Sequence, residues 1–436
     1  MAAIAFKILV AIGTALLGAW TLRQPRLMAL SKPRFLGLSL GLQLLTGLGL
    51  FVALYVLGHQ TVPSDVPGYY LPEARAALSG QLPYRDFPQS YAPLFPYVGA
   101  GLLGVWNAAE AFVLFAIALN GLTLVLWHQV ATHCTDATRA RQTTILYATS
   151  GHVLMQTLLG TNQIWVAAAL AGSAILIYRR RETASGLAQA VAACCTKLLV
   201  PMFWPVLWIC AERRVRWLAA PVLVTAAVFG IFTLAGANVL DPIRLEGERF
   251  SSGNLPYLLE PLSAGLGERR YLPFDVSAVL VLAGALLWIY RQAGAVAPQA
   301  RARLLAPGLA LTGLLFMLLS KKSNSGYEVF FMYPAILTLC VSVTSTLARG
   351  VFLLLFNVLL VTEPSLWFRV GKYQALSAWL QESGRAAAPA FALLDLALVG
   401  CYAYLAWLSL KTLQFSVRGC GTERAEADPD IVGATS

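Results

Sequence analysis

From Phe35 to Gly58 the chain reads "FLGLSLGLQLLTGLGLFVALYVLG", 24 residues without one charged side chain. A helix rises about 1.5 Å per residue, so about 20 apolar residues cross a hydrocarbon core of roughly 30 Å. Inside lipid every backbone N–H and C=O must be bonded within the protein, which leaves the α-helix as the spanning form for such a run. Comparable runs recur to the end of the chain. Of the 436 residues, 58% are hydrophobic and 12% charged, about half the roughly 25% charged of soluble domains. The mean hydropathy is +0.66. These features define an all-α polytopic membrane protein and exclude a soluble enzyme built on one buried core.

Spans are expected at 2–22, 35–58, 109–131, 142–160, 163–178, 185–212, 216–236, 273–290, 303–320, 327–347, 350–363 and 386–410. Span 185–212 contains Pro201 and Pro205 and is expected to turn back near Lys197, giving about 12–13 crossings. The net charge of +11 does not point to nucleic acid. Its Lys and Arg sit in short loops, at Arg23, Arg26, Lys32 and Arg34, at Arg179–Arg181, and at Arg213, Arg214 and Arg216. Such loops mark the cytoplasmic side. Residues 1–415 therefore read as one transmembrane domain, with outer loops at 59–108 and 237–272. Residues 416–436 read as a polar, disordered tail. The opening segment reads as an uncleaved helix rather than a signal peptide. No internal repeat is evident.

With the basic loops inside, the remaining ionisable residues share the outer face. They include Asp65, Arg85, Asp86, Lys197, Glu260, Lys321, Lys322 and Glu328. Ionisable groups at or within a membrane are costly and usually functional. The segment "APLFPYVGAGLLGVW" (92–106) is expected to lie on the outer side as a juxtamembrane or re-entrant helix, because one crossing must join residue 92 to the basic Arg139 and Arg141. Its "GAGLLG" matches a dinucleotide-binding pattern, but no strand precedes it, so close helix packing accounts for it better. The seven cysteines include no CxxC pair, so neither a zinc site nor a disulfide framework is indicated. His128 and His133 read as interfacial residues.

The loop "SDVPGYYLPEARAALSGQLPYRDFPQSYAPLFPY" (64–97) contains a short helix, with Pro72 near its start, Glu73 in its first turn and Gly80 at its end. Asp65, Tyr70, the "PYRD" at 83–86 and the "YAPLFPY" that follows resemble the first outer loop of GT-C glycosyltransferases. The resemblance is nearest to polyprenol-phosphate-mannose-dependent mannosyltransferases and their bacterial relatives. A second block, Gly160 and Gln163 followed by "YRRRE" and then Lys197 with Pro201, is similar to the family's Gly-Gln, basic turn and Lys-x-x-x-Pro sequence. A third, weaker block is "KKSNSGYEVFFMYP" (321–334). The blocks cover roughly half the chain. One helix precedes the pattern, where the family usually has its loop after the first span.

The resemblance implies a GT-C-like bundle in a bacterial inner membrane, with its active site outside. It implies transfer of a mannose-like hexose from a polyprenyl-phosphate donor to a lipid or glycan acceptor. Nucleotide sugars stay in the cytoplasm, so an outer site would need a lipid-linked donor. Asp65 would be the general base, or would hold a metal that activates the acceptor hydroxyl; a divalent metal is left open. Lys197, Lys321, Lys322 and Arg249 would meet the leaving phosphate. Tyr84, Arg85, Asp86, Tyr91, Gln163, Glu260, Asn324, Tyr327 and Glu328 would line the substrate. Other readings are a lipid-linked sugar flippase or transporter, and an O-antigen polymerase or ligase. Glu363 and Asp395, within spans, fit none of the roles assigned here.

Overall fold

The computed structural model of the protein describes residues 2–63, 65–247, 249–269, 271–371, 373–383 and 387–427. Among these residues no strand forms, and Pro83 and Phe87 make an isolated bridge. Eight helices among the described residues are long and apolar enough to cross a membrane: Ala3–Leu22, Lys32–Leu57, Glu110–Cys134, Arg214–Leu234, Leu272–Gly294, Pro298–Leu319, Thr346–Arg369 and Ala387–Val417. The bent pair Gly151–Leu158 and Gln163–Tyr178 makes nine if counted as one span. The chain is thus an all-α protein built for a lipid bilayer.

This falls short of 12–13 full-length spans, and the reason is local. Expected span 142–160 is broken at Ser150, which caps a new helix by accepting the Val153 N–H. Expected span 185–212 stops at Cys195 and resumes as a 3-10 turn and helix over Val200–Cys210, where Pro201 and Pro205 remove backbone donors. Span 327–347 shortens to Met332–Ser342. The helix Phe95–Val105, within the segment expected to be juxtamembrane, has 11 residues, about 16 Å of rise and too little to cross. Met332–Ser342 and Gln163–Tyr178 are almost wholly buried. Irregular backbone is tolerated at membrane depth where protein surrounds it. Long helices form the rim: Leu272–Gly294 and Arg214–Leu234 present Val279, Leu280 and Leu223 outward, each about two-thirds exposed (66%, 66% and 68%). The last helix continues to Ala427, into the stretch expected as a disordered tail; residues 428–436 lie outside the described residues. So do Lys372 and Arg385.

Bonds between loops sort the helix ends into two groups. At the basic end Lys32 reaches Thr132 (3.5 Å), Arg179 reaches Gln129 (2.7 Å), Arg141 donates to the Met28 carbonyl, and Arg180 lies 3.7 Å from Glu212. The last contact brings residue 212 back beside residue 180, so Glu182–Cys195 and Val200–Cys210 go out and return. Arg141 and Arg179 both belong to this end, so the 118° bend at residues 159–162 reverses the chain direction. At the opposite end Ala92 and Leu94 donate to the carbonyls of Thr196 and Cys194 (3.2 and 2.8 Å), and Ser251 to that of Lys321 (2.7 Å). The long loops thus meet at one end of the bundle.

Candidate functional site

Asp65 begins a π-helical turn, Val66–Tyr70, that runs directly into the helix Leu71–Leu78. Val66 and Tyr70 are fully buried, so Asp65 is held at a packed corner while its own side chain stays half-buried. Gly160 makes this corner close. Its φ is +66°, and a Cβ there would lie 3.2 Å from Val66 and 3.3 Å from Val113. Only a residue without a side chain turns the chain there at little cost.

The "YAPLF" segment runs across the same corner, held by its backbone bonds to Cys194 and Thr196. It presents Tyr91, whose hydroxyl donates to Asp65 Oδ2 at 3.3 Å. On the other side of the Tyr91 ring lies Lys197, its Nζ 5.7 Å from the Tyr91 centroid and 4.7 Å from that of Tyr327. Lys197 is 9% exposed and makes no ion pair among the described residues. A cation held over two aromatic faces keeps its charge available to an anion. Desolvation, then the neighbouring Tyr70 and Asp65, push the Tyr91 phenol above its ordinary range, so it remains a donor.

Asp65 also lines a cavity of about 160 Å³, with Lys7, His152, Gln156, Gln163 and Asn324 on its polar side and aliphatic and aromatic side chains on the other. Gln163 starts the helix after the chain reversal, and Asn324 accepts the Gly326 N–H at 2.9 Å. Both side chains converge on Gly326, where a Cβ would stand 2.9 Å from Asn324 Oδ1 and 3.5 Å from Gln163 Nε2. The cavity is smaller than the roughly 300–1,000 Å³ of typical ligand pockets, so it is sized for one compact group. Lys197 does not line it; it stands behind Tyr91.

The structure thus brings together Asp65, Tyr91, Lys197, Gln163, Asn324 and Tyr327, and sets other expected site residues apart. Tyr84 is buried at φ +63° and donates to the Tyr91 carbonyl, so it supports the segment from behind. Arg85 and Asp86 pair with each other at 2.9 Å, and Arg85 also holds the Ala235 carbonyl at 3.2 Å. That pairing and the Leu82 N–H hold the Asp86 carboxyl at about 2. Lys321 pairs with Asp275 at 3.0 Å and covers Tyr271, which engages its charge away from the cavity. Lys322 and Arg249 have interactions of their own and do not line the cavity. Glu260, fully buried, accepts from the Ser377 N–H and hydroxyl at 2.8 and 2.7 Å and ties two loop helices together. Glu328 is fully buried in the interior, with neither oxygen bonded among the described residues.

Glu73 was missed by sequence reasoning. It is 5% exposed, and burial, then the charge of Asp65, raise its carboxyl from 4.5 to about 8. A first-turn acid reads as ordinary helix chemistry; the signal was Ala74 and Ala77 beside it, which left that face small enough to bury. Lys7, placed in an expected span, was also passed over. Among the described residues no group of three or more His, Cys, Asp or Glu is placed to hold a metal. Compared with known proteins, the chain matches no family model, and neither a curated protein nor a solved structure is significantly similar to it.

Proposed function

We propose that this protein transfers a hexose from a polyprenyl-phosphate donor to a lipid or glycan acceptor, at the extracytoplasmic face of a bacterial inner membrane. One observation carries the reading. Asp65, Tyr91, Lys197 and Tyr327, drawn from the three sequence blocks that resemble GT-C enzymes, lie in one unbroken series of contacts.

In this reading Asp65 accepts the proton of the acceptor hydroxyl as it attacks the anomeric carbon, and Tyr91 fixes the carboxylate. The departing phosphate gains negative charge. Lys197, buried and without an ion pair among the described residues, stabilises that charge in a water-poor setting. Gln163 and Asn324 orient the sugar in the small cavity, while the prenyl chain remains in lipid beside the bundle.

The test is sugar transfer in membranes from a defined polyprenyl-phosphate hexose. Asp65→Asn should lower the rate by about 10²–10⁴-fold, the usual worth of a positioned base. Unchanged transfer by this variant would remove Asp65 from the reaction and with it the proposed mechanism. A second reading, transport of a lipid-linked sugar, draws on the chain reversal beside the cavity and on the acids within spans, Glu363 and Asp395. Movement of labelled lipid without transfer of its sugar would favour it.

A further inference from the structure

Glu363 and Asp395 stand on two long helices, Thr346–Arg369 and Ala387–Ala427, six and eight residues from the ends where the long loops meet. Both are 0% exposed, and none of their four carboxylate oxygens has a hydrogen-bond partner among the described residues. The charge of Glu363 acts directly on Asp395. No Lys, Arg or His among the described residues acts on either. Buried charges are ordinarily paired or coordinate a metal.

The surroundings supply hydroxyl oxygens, a backbone N–H and, among the described residues, no cation. The Ser252 hydroxyl, 1% exposed, approaches Glu363 without the geometry of a completed hydrogen bond. Gly253, at φ +82°, brings backbone between the two helices, its N–H toward Asp395; a Cβ there would lie 3.3 Å from Glu363 Oε2 and 3.5 Å from Leu398, one turn beyond Asp395. The Tyr402 hydroxyl, fully buried and also unpartnered among the described residues, feels both acids and, from a third side, Glu328. Tyr257 is the remaining titratable group that senses the pair. Among the described residues, the groups that act on these carboxylates are the Ser252 hydroxyl, the Gly253 N–H and the acids themselves, and none is a cation.

We propose that Glu363, Asp395 and Ser252 form a binding site for a hard divalent cation, magnesium or calcium. Two carboxylates and a hydroxyl, completed by water, are oxygen ligands of the kind such ions take. A double positive charge neutralises both acids at once. A single shared proton would leave one negative charge with no cation opposite it among the described residues. The ion would join the loop 251–254 to both helices and so fix the roof of the bundle next to the cavity, whose wall includes Pro364 and Ser365. The proposal stands independently of sugar transfer.

The test uses the full chain, purified in detergent and stripped with chelator, with calcium and magnesium chloride added separately. One ion should bind per chain by equilibrium dialysis, with a saturable rise in the unfolding midpoint. Glu363→Gln and Asp395→Asn, which keep shape and remove charge, should abolish both effects. Ser252→Ala should weaken binding about tenfold and serves if the other variants fail to fold. Absence of stoichiometric divalent binding to the parent protein, occupancy by sodium alone, or binding that survives the double variant would each overturn the site.

Discussion

Glu73 occupies the first turn of a short helix, where a carboxylate facing water would be favoured by the helix dipole. Its burial reverses that expectation. The folded state holds the proton up to about pH 8, whereas the unfolded chain releases it near 4.5. The unfolded state thus binds fewer protons between those values, and stability falls as pH rises through the window, by an amount on the order of a few kcal/mol. Glu73→Gln should remove this slope and leave the variant more stable than the parent at pH 8, read from unfolding midpoints in detergent. Equal slopes in both proteins would show that Glu73 is solvated. Asp65 and Lys197 were legible in the sequence because each interrupts or borders an apolar run. Glu73 was not, because position in a helix says nothing about which face the fold will cover. Glu260 and Lys321 were legible as costly charges, but their partners, Ser377 and Asp275, lie on elements that only folding brings near.

At the scale of elements, the turn at Gly160 decides where Asp65 stands. Gly160→Ala should cost about 1–2 kcal/mol for its left-handed backbone alone, with further loss as Val66 and Val113 are displaced. Gly172, twelve residues on in the helix that follows, is the contrasting case, since a Cβ there would meet only Leu126 at 4.0 Å. Gly172→Ala should be neutral or stabilising by up to about 1 kcal/mol. Chemical or thermal unfolding of the two variants checks the pair, and equal losses would deny the turn its special role. Long apolar spans were readable from their length. The broken ones were readable only in part: Pro201 and Lys197 announced the reversal after Cys195, whereas the break at Ser150 rests on a single hydroxyl cap within an otherwise apolar stretch.

For the whole molecule, the two sets of loops must lie on opposite sides of the membrane if the eight long helices cross it. Arg180 at the basic end and Arg75 in the first long loop are both exposed. Cysteines placed singly at these positions, in a chain otherwise free of reactive thiols, should react with impermeant reagents from opposite sides. Labelling of both from one side would collapse the arrangement. The division itself was legible from the basic loops alone, because charge placement is a global property of a membrane chain.

The backbone bonds from Ala92 and Leu94 to the end of Glu182–Cys195 have a bearing on traffic. They splice the first long loop to a reversal in the bundle, so this loop serves as a fixed lintel rather than a swinging door. In the proposed transfer reaction a molecule bound for Asp65 would enter from the flank, between the first helix at Lys7 and Phe368, where the cavity wall carries a half-buried amine and a partly exposed ring. An opening on that flank would let the bilayer itself serve as the corridor for the long-tailed donor of the proposed reaction.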